Sequence, residues 1–199
     1  MNRDHKMKAR EAHETIDEAL EGHRNKRVAI LIAILAAMLA LAETGGSQAK
    51  QDALNANIEA SNLWAFFQAK TIRQTVLRTA SESLEIEMRT LASAQVEAAT
   101  KRMDAWKATA QRYESEPETG EGRRELMGRA KAMEAKRDRA LAADHVFEIA
   151  SGALQIGIVL ASAAVITGAI WLAFTAIGLG LIGAAFVTLG FIAPTAVHF

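Results

Sequence analysis

Apolar residues are concentrated in two stretches of this sequence, and charged residues lie before and between them. Residues 28–42 (VAILIAILAAMLALA) contain no charge, and residues 146–199 contain one, Glu148. Residues 1–27 hold 13 charged residues and residues 43–145 hold 32. A helix that spans a bilayer needs about 20 mainly apolar residues. The pattern therefore predicts an all-α membrane protein with polar helical segments outside the bilayer.

The first apolar stretch is short for a span, and we extend it to residues 28–46, with Glu43 reaching the headgroups. Ala40-Leu41-Ala42 resembles a signal-peptide cleavage site, so a signal peptide is the alternative. Six acidic residues within 1–27 argue against that alternative. A retained transmembrane helix 1 is the prediction.

The second apolar stretch is long enough for transmembrane helices 2 and 3, which form a hairpin over residues 146–193. The 21 residues before Thr167 and the 24 after Gly168 each suffice for a span, and Thr167-Gly168 supplies the turn. Proline cannot continue a helix, so Pro194 ends the last span and leaves 194–199 as a tail. The alternative, one helix of 48 residues, would be about 70 Å long, far beyond the bilayer core.

The spacing of apolar residues within 1–27 predicts an amphipathic helix near the membrane surface. Its apolar side consists of Met7, Ala12, Ile16, Ala19 and Leu20. Histidine recurs in this segment at His5, His13 and His23. Their spacings of eight and ten differ from the i, i+4 spacing that places two imidazoles on one metal. No metal site is predicted.

Residues 47–145 predict an extramembrane helical hairpin of the coiled-coil type. Neither glycine nor proline occurs from Ser47 to Glu116, and helix-forming residues are abundant. A seam with a period of seven runs through Leu77, Leu84, Leu91, Ala98 and Ala105, with Ser81, Met88 and Gln95 four positions after the first three. This seam predicts pairing within one chain or between subunits.

A turn at residues 114–122 is predicted to form the tip of this hairpin, because Pro117, Gly120 and Gly122 fall there. The returning helix has a second seam whose members are spaced alternately four and three: Leu126, Ala130, Met133, Arg137, Ala140, Asp144 and Phe147.

The two arms of the predicted hairpin differ in length. Residues 43–113 as one helix would extend about 105 Å, whereas 122–145 would return about 36 Å. We therefore expect a bend in the outgoing arm. Asparagine and serine favour caps and turns, which places the expected bend near Asn55, Asn57, Ser61 and Asn62. A chain that bridges two membranes is the alternative.

An aromatic motif follows the expected bend, at Trp64, Phe66 and Phe67, with Lys70 and Arg73 close behind. Tryptophan beside basic residues suits an anchor at the membrane interface. The alternative is packing at a helix crossing, within the chain or between subunits. The motif and the seam leucines (Leu77, Leu84, Leu91) are therefore candidate oligomer contacts.

The predicted spans carry two candidate features. Small residues Ala176, Gly180 and Ala184 recur every fourth position in span 3, a pattern that lets membrane helices approach closely and that predicts a packing or oligomer contact. A polar stripe in span 2 consists of Glu148, Ser151, Gln155 and Ser162. Ionisable residues within a membrane are candidates for function. The polar stripe has two interpretations: it packs against other helices, or it lines a conduction path in a ring of subunits.

Charge and composition exclude several classes of function. The 23 basic and 23 acidic residues balance, so the chain lacks the basic surplus of a nucleic-acid-binding protein. It has no cysteine, which excludes disulfides and thiol chemistry. No catalytic constellation, phosphate loop or cofactor motif is present, so no enzyme activity is predicted. Arg24, Lys26 and Arg27 before span 1 favour a cytoplasmic N-terminus, with residues 43–145 periplasmic in a Gram-negative host.

The heptapeptide from Trp64 to Lys70 (WAFFQAK) resembles the W-A-Y-Y-Q-A-K stretch of the bacterial "domain of unknown function 4337" family. His145-Val146-Phe147 and Leu154-Gln155-Ile156-Gly157-Ile158 also resemble that family's H-x-F and L-Q-x-x-I patterns. The family often has a basic turn between spans 2 and 3, where this chain has Thr167-Gly168. The resemblance implies a three-span bacterial membrane protein with a coiled coil, and no activity. We expect its location to be the inner membrane.

From these features we expect a homo-oligomeric scaffold whose partners are the bilayer, further copies of the chain and a further, unidentified protein. A small channel or transporter subunit that uses the polar stripe is the alternative.

Overall fold

The computed structural model describes the backbone of residues 3–196 and the side chains of residues 25–196, and all regular structure in that part is helical. Three of its helices are long and apolar enough to cross a membrane. The all-helical class is thus confirmed. The helices are α1 (Arg3–Glu87), α2 (Ser93–Glu114), α3 (Arg123–Thr167) and α4 (Ile170–Ile192).

Helix α1 is continuous where the sequence predicted a bend. It passes through Asn55, Asn57, Ser61 and Asn62 without a break, so that prediction is wrong. These four side chains are exposed, while the neighbouring Ala53, Ala56 and Ala60 are buried. Alanine has the highest helix propensity, and polar side chains that face solvent do not interrupt the backbone. Helix α1 also continues through residue 27, and the predicted apolar side of residues 1–27 and its three histidines lie outside the described side chains.

The chain reverses direction at residues 88–92. A 3-10 turn at Met88–Thr90 follows α1, and Leu91 and Ala92 have extended backbone with ψ near 150°. The side-chain oxygen of Gln95 accepts a hydrogen bond from the Ala92 N–H at 3.4 Å and so caps α2. Because Leu91 lies in this reversal, the seam predicted from Leu77 to Ala105 does not lie on one helix, and that prediction is wrong.

Residues 51–139 form one compact unit, in which α2 and α3 pack in succession along α1. The Nε2 of Gln74 donates to the carbonyl of Ala110 on α2, and Trp64 donates to Glu134 on α3. Both helices are therefore antiparallel to α1. The predicted turn at 114–122 is present, but it joins α2 to α3 part-way along α1 and is not the tip.

This arrangement removes the mismatch in arm length. Residues 51–87 of α1 extend about 55 Å, and α2 together with residues 123–139 of α3 extends about 58 Å at the same rise per residue. The returning arm was predicted to be too short because the sequence placed the reversal at residues 114–122, whereas the chain reverses at residues 88–92.

The core of this unit is a heptad seam on α1, which we call the inner seam. Its members are spaced alternately three and four and are buried or half-buried throughout. Residues Leu77 and Leu84 belong to it, and Leu63 packs against Leu126 and Ala130 of α3. The inner seam comprises Ala53, Ala56, Ala60, Leu63, Phe67, Lys70, Gln74, Leu77, Ser81 and Leu84.

The described parts of residues 1–50 and 140–199 form the other compact unit. Its core contains Leu35 and Ala42 of α1, Phe147 and Leu154 of α3, and Val187 of α4. Helix α3 ends at Thr167, and Gly168 has the left-handed φ of +68° that favours glycine after a helix. The predicted turn at Thr167-Gly168 is present, and α4 ends at Ile192, two residues before Pro194.

Candidate functional site

The structure brings three of the four residues of the predicted polar stripe near one another on α3. The Nε2 of Gln155 lies 3.4 Å from the hydroxyl of Ser151, and Glu148 lies one turn before Ser151. Ser162 is separate, because its hydroxyl donates to the Ile158 carbonyl of its own helix at 2.8 Å. The side chains of Glu148 and Gln155 are exposed on the surface of the unit.

Glu43 of α1 is a member of this polar group that sequence reasoning assigned only to the headgroups. Its carboxylate accepts a hydrogen bond from the Nε2 of Gln155 at 3.5 Å. A groove beside this pair is lined by Glu43, Lys50, Asp144 and Glu148. The signal for Glu43 was its position as the lone acid directly after an apolar run. Among the described residues, no group of three histidines or acids is placed to hold a metal ion.

The small residues of α4 pack within the chain. Ala176 and Gly180 are buried, and a Cβ on Gly180 would lie 2.5 Å from Leu35 of α1. Ala176 packs with Val28 and Ala161, and Ala184 is half-buried. The close approach that the spacing predicted therefore joins α4 to α1 and α3 of the same chain.

The ring of Phe147 lies between two glycines of neighbouring helices. A Cβ on Gly45 of α1 would lie 2.7 Å from the ring, and a Cβ on Gly190 of α4 would lie 2.8 Å from it. The ring also makes an edge-to-face contact with Phe191 at 4.9 Å. We call this arrangement the Phe147 clamp. It holds α1, α3 and α4 together through one aromatic side chain, which needs glycine on both sides.

The aromatic motif packs against α3. The rings of Trp64 and Phe67 meet edge to face at 5.4 Å, and Phe66 joins them on the cluster around Leu126. The indole N–H of Trp64 donates to the carboxylate of Glu134 at 2.9 Å. These contacts correspond to the packing interpretation of the motif, with the polar edge of the indole satisfied by a neighbouring helix.

Lys70 occupies a buried cage, a feature that sequence reasoning missed. Its side chain is 7% exposed, and its Nζ lies 3.8 Å from the carboxylates of Glu116 and Glu121. The ammonium also lies over the rings of Phe66 at 5.4 Å and Tyr113 at 5.0 Å. Carboxylates and aromatic faces both stabilise a cation. The available signal was the position of Lys70 midway between Leu63 and Leu77 at the seven-residue period, where a charge is unusual.

Arg123 joins all three helices of the 51–139 unit beside the Lys70 cage. Its guanidinium donates to Gln74 at 2.7 Å, to Thr71 at 2.9 Å and to the carboxylate of Glu114 at 2.7 Å. It also lies 4.9 Å from the ring of Phe67. Gln74 is buried and donates in turn to Glu114 and to a carbonyl of α2. The cluster thus fastens the start of α3 and the end of α2 to α1.

The stability of this cluster is expected to depend on pH through Glu114. The hydrogen bond from Gln74 holds the pKa of Glu114 below its ordinary value near 4.5; burial opposes this effect, and the charge of Arg123 adds to it. A carboxylate whose pKa is lowered by folding stabilises the folded state above the unfolded-state pKa, and this stabilisation is lost as the pH falls through the folded-state pKa. We expect the melting temperature of the purified protein to fall below pH 4.5, and to fall less in Glu114→Gln. Equal acid sensitivity of both proteins would contradict this assignment.

Most of the chain matches the model of a known family. The model of the family described as Domain of unknown function (DUF4337) matches residues 24–193. No curated protein and no solved structure matches the chain significantly. The matched range contains the aromatic motif, the polar stripe and both glycines of the Phe147 clamp. This chain belongs to the DUF4337 family.

Proposed function

We propose that this protein is a homo-oligomeric scaffold of the membrane. The observation that carries the proposal is a set of large apolar side chains exposed in the polar 51–139 unit, outside the predicted spans. Apolar residues exposed together outside a bilayer are typical of protein interaction surfaces. They are Leu54, Ile58, Ile72, Val76 and Ile86, each between 58% and 65% exposed.

The contacts of the polar residues in this unit support the same function. Lys70, Arg123 and Gln74 use their polar atoms to hold α1, α2 and α3 to one another. Such bracing favours a stiff helical body that presents a surface. The apolar helices anchor this body, and the basic residues before span 1 favour a cytoplasmic N-terminus, an inner-membrane location and a periplasmic 43–145 segment in a Gram-negative host. A further protein bound by the assembled surface is part of the proposal.

Native mass spectrometry of the full chain in mild detergent tests the proposal. We expect a defined oligomer that persists on dilution, because burial of the exposed apolar side chains stabilises the assembly. A monomer at all concentrations, both in detergent and in lipid nanodiscs, would show that the scaffold proposal is wrong.

A second candidate function is that of a small channel subunit, and the exposed polar pair Gln155 and Glu43 favours it. If the stripe lines a path between subunits, planar-bilayer recordings of the wild-type protein will show conductance. Replacement of Gln155 by Leu or of Glu148 by Gln will then reduce it several-fold. Ser162→Ala is the matched control, because that hydroxyl bonds to its own helix. Absence of conductance in the wild type rejects this candidate.

A further inference from the structure

Helix α1 carries a second heptad seam, displaced by two residues from the inner seam. An α-helix turns by about 100° per residue, so a displacement of two places this outer seam on nearly the opposite face. Nine of its ten side chains are exposed and Ala69 is half-buried. The members are spaced alternately three and four over about 46 Å. The outer seam comprises Asn55, Ile58, Asn62, Ala65, Ala69, Ile72, Val76, Thr79, Ser83 and Ile86.

None of the ten residues of the outer seam is charged. A surface helix ordinarily places its charges on the face opposite its core. Helix α3 of the same unit follows that rule at Arg124, Lys131 and Arg139, which are exposed and lie away from its seam at Leu126 and Ala130. The charges of α1 in this unit follow a different pattern, since none is a member of the outer seam. Lys70 lies in the inner seam, Glu82 lies beside the outer seam, and the others lie on the flanks, at Asp52, Glu59, Arg73, Arg78, Glu85 and Glu87. The outer seam therefore has the pattern of a helix face that contacts another helix.

The same pattern identifies a partner. A seam with a period of 3.5 residues matches a second long helix with the same period. In a parallel pair of identical helices each residue meets its own copy, so any charge in the seam would face a like charge. A seam without charges avoids this repulsion along its whole length. Copies inserted in one bilayer with one topology also present α1 in the same direction.

We propose that the outer seam binds the outer seam of a second copy of this chain, in parallel and in register. The proposal rests on the oligomer proposed above and names its surface. Ile58, Ile72 and Ile86 form apolar layers between the two helices, and Ala65 and Ala69 allow close approach. Asn55 and Asn62 meet their own copies, and an amide side chain both donates and accepts hydrogen bonds. Asparagine in such a seam fixes the register of the pair.

Disulfide cross-linking tests this surface directly, because the chain contains no cysteine. Ile72→Cys places one thiol at the centre of the outer seam. Arg78→Cys is the matched control, exposed on the same helix but on the flank that lines the groove between α1 and α2. Full-length protein in native membranes is oxidised with copper phenanthroline and separated on a non-reducing gel. We expect at least tenfold more covalent dimer from Ile72→Cys than from Arg78→Cys.

Three outcomes contradict the proposal in distinguishable ways. Equal dimer yields from both variants, with an oligomer in native mass spectrometry, reject the outer seam and leave the scaffold function standing. Monomers in both experiments reject both. Cross-linking of Ile58→Cys on one copy with Ser83→Cys on the other, in place of Ile58→Cys with its own copy, shows antiparallel pairing and rejects the parallel arrangement.

Charge substitution at the same position gives a second test that does not depend on oxidation. Ile72 is 64% exposed, so a charge there leaves the fold of one chain intact. Ile72→Glu and Ile72→Lys, each expressed alone, are expected to give at least tenfold less dimer than the wild type in native mass spectrometry, because two like charges then meet. Co-expression of the two is expected to restore a mixed dimer. Failure of the mixed pair to form would contradict in-register pairing.

Discussion

Replacement of Phe147 by alanine is expected to destabilise the unit formed by the apolar helices by about 3 kcal/mol. The ring is 3% exposed and fills the space between Gly45 and Gly190, so its loss leaves a cavity between three helices. Truncation of a buried phenylalanine costs about 3–5 kcal/mol in cores of soluble proteins. We place this case at the lower end because three helices are apolar enough to cross a membrane, and lipid or detergent, unlike water, solvates apolar side chains well. The measurement is thermal unfolding of purified protein in detergent, with an expected drop of about 6–12 °C.

The glycines of the Phe147 clamp give this prediction its controls. Gly190→Ala is expected to cost about 1–3 kcal/mol by overpacking, since a Cβ would lie 2.8 Å from the ring. Gly178→Ala in the same helix meets no atom within 4 Å and is expected to be neutral or stabilising. Gly190→Ala added to Phe147→Ala should be tolerated, because the ring is gone. Additive losses in that double variant would show that the clamp is not the cause.

Neutralising both carboxylates of the Lys70 cage is expected to destabilise the 51–139 unit by about 3 kcal/mol. In Glu116→Gln/Glu121→Gln the buried ammonium of Lys70 loses both of its anionic partners. Removal of the partner of a buried charge costs about 3–5 kcal/mol, and the half-exposed Glu121 places this case at the lower end. Chemical unfolding followed by circular dichroism measures the loss.

Lys70→Met tests whether the unpaired charge of the lysine causes that loss of stability. Methionine keeps an unbranched apolar chain against Phe66 and Tyr113 and removes the charge. Added to the double glutamine variant, it is expected to recover most of the lost stability, because replacing all members of a buried ionic group is often neutral. Glu97→Gln, which removes an exposed pair with Lys101, should change stability by less than about 1 kcal/mol. If Lys70→Met lowers stability further, the cage is held together by packing of the lysine and not by charge.

Several features of the fold were predictable from the sequence because each depends on neighbouring residues alone. The apolar stretches predict helices that could span a membrane, and three such helices are present. Thr167-Gly168 forms the predicted turn because glycine adopts the left-handed conformation without steric cost. The seam of α3 at Leu126 and Ala130 is buried as its spacing predicted.

The features that the sequence did not predict all depend on a partner helix. A seam of Ala53, Ala56 and Ala60 lacks the bulky residues by which a heptad is usually detected, yet its small side chains allow α1 to pack closely at those positions. The reversal at residues 88–92 contains neither glycine nor proline. Its location follows from the pairing of Gln74 with Ala110 and Glu114, which are 36 and 40 residues away.

The sequence by itself determined the helical class, the apolar segments, the turn between α3 and α4, and the family. These follow from composition and from periodicities that a local segment carries. Only the tertiary structure decided the course of α1 and α2, the burial of Lys70, the position of Phe147 between two glycines, and the two opposite seams of α1. Each of these depends on which distant residues meet, and that is settled by the packing of whole helices.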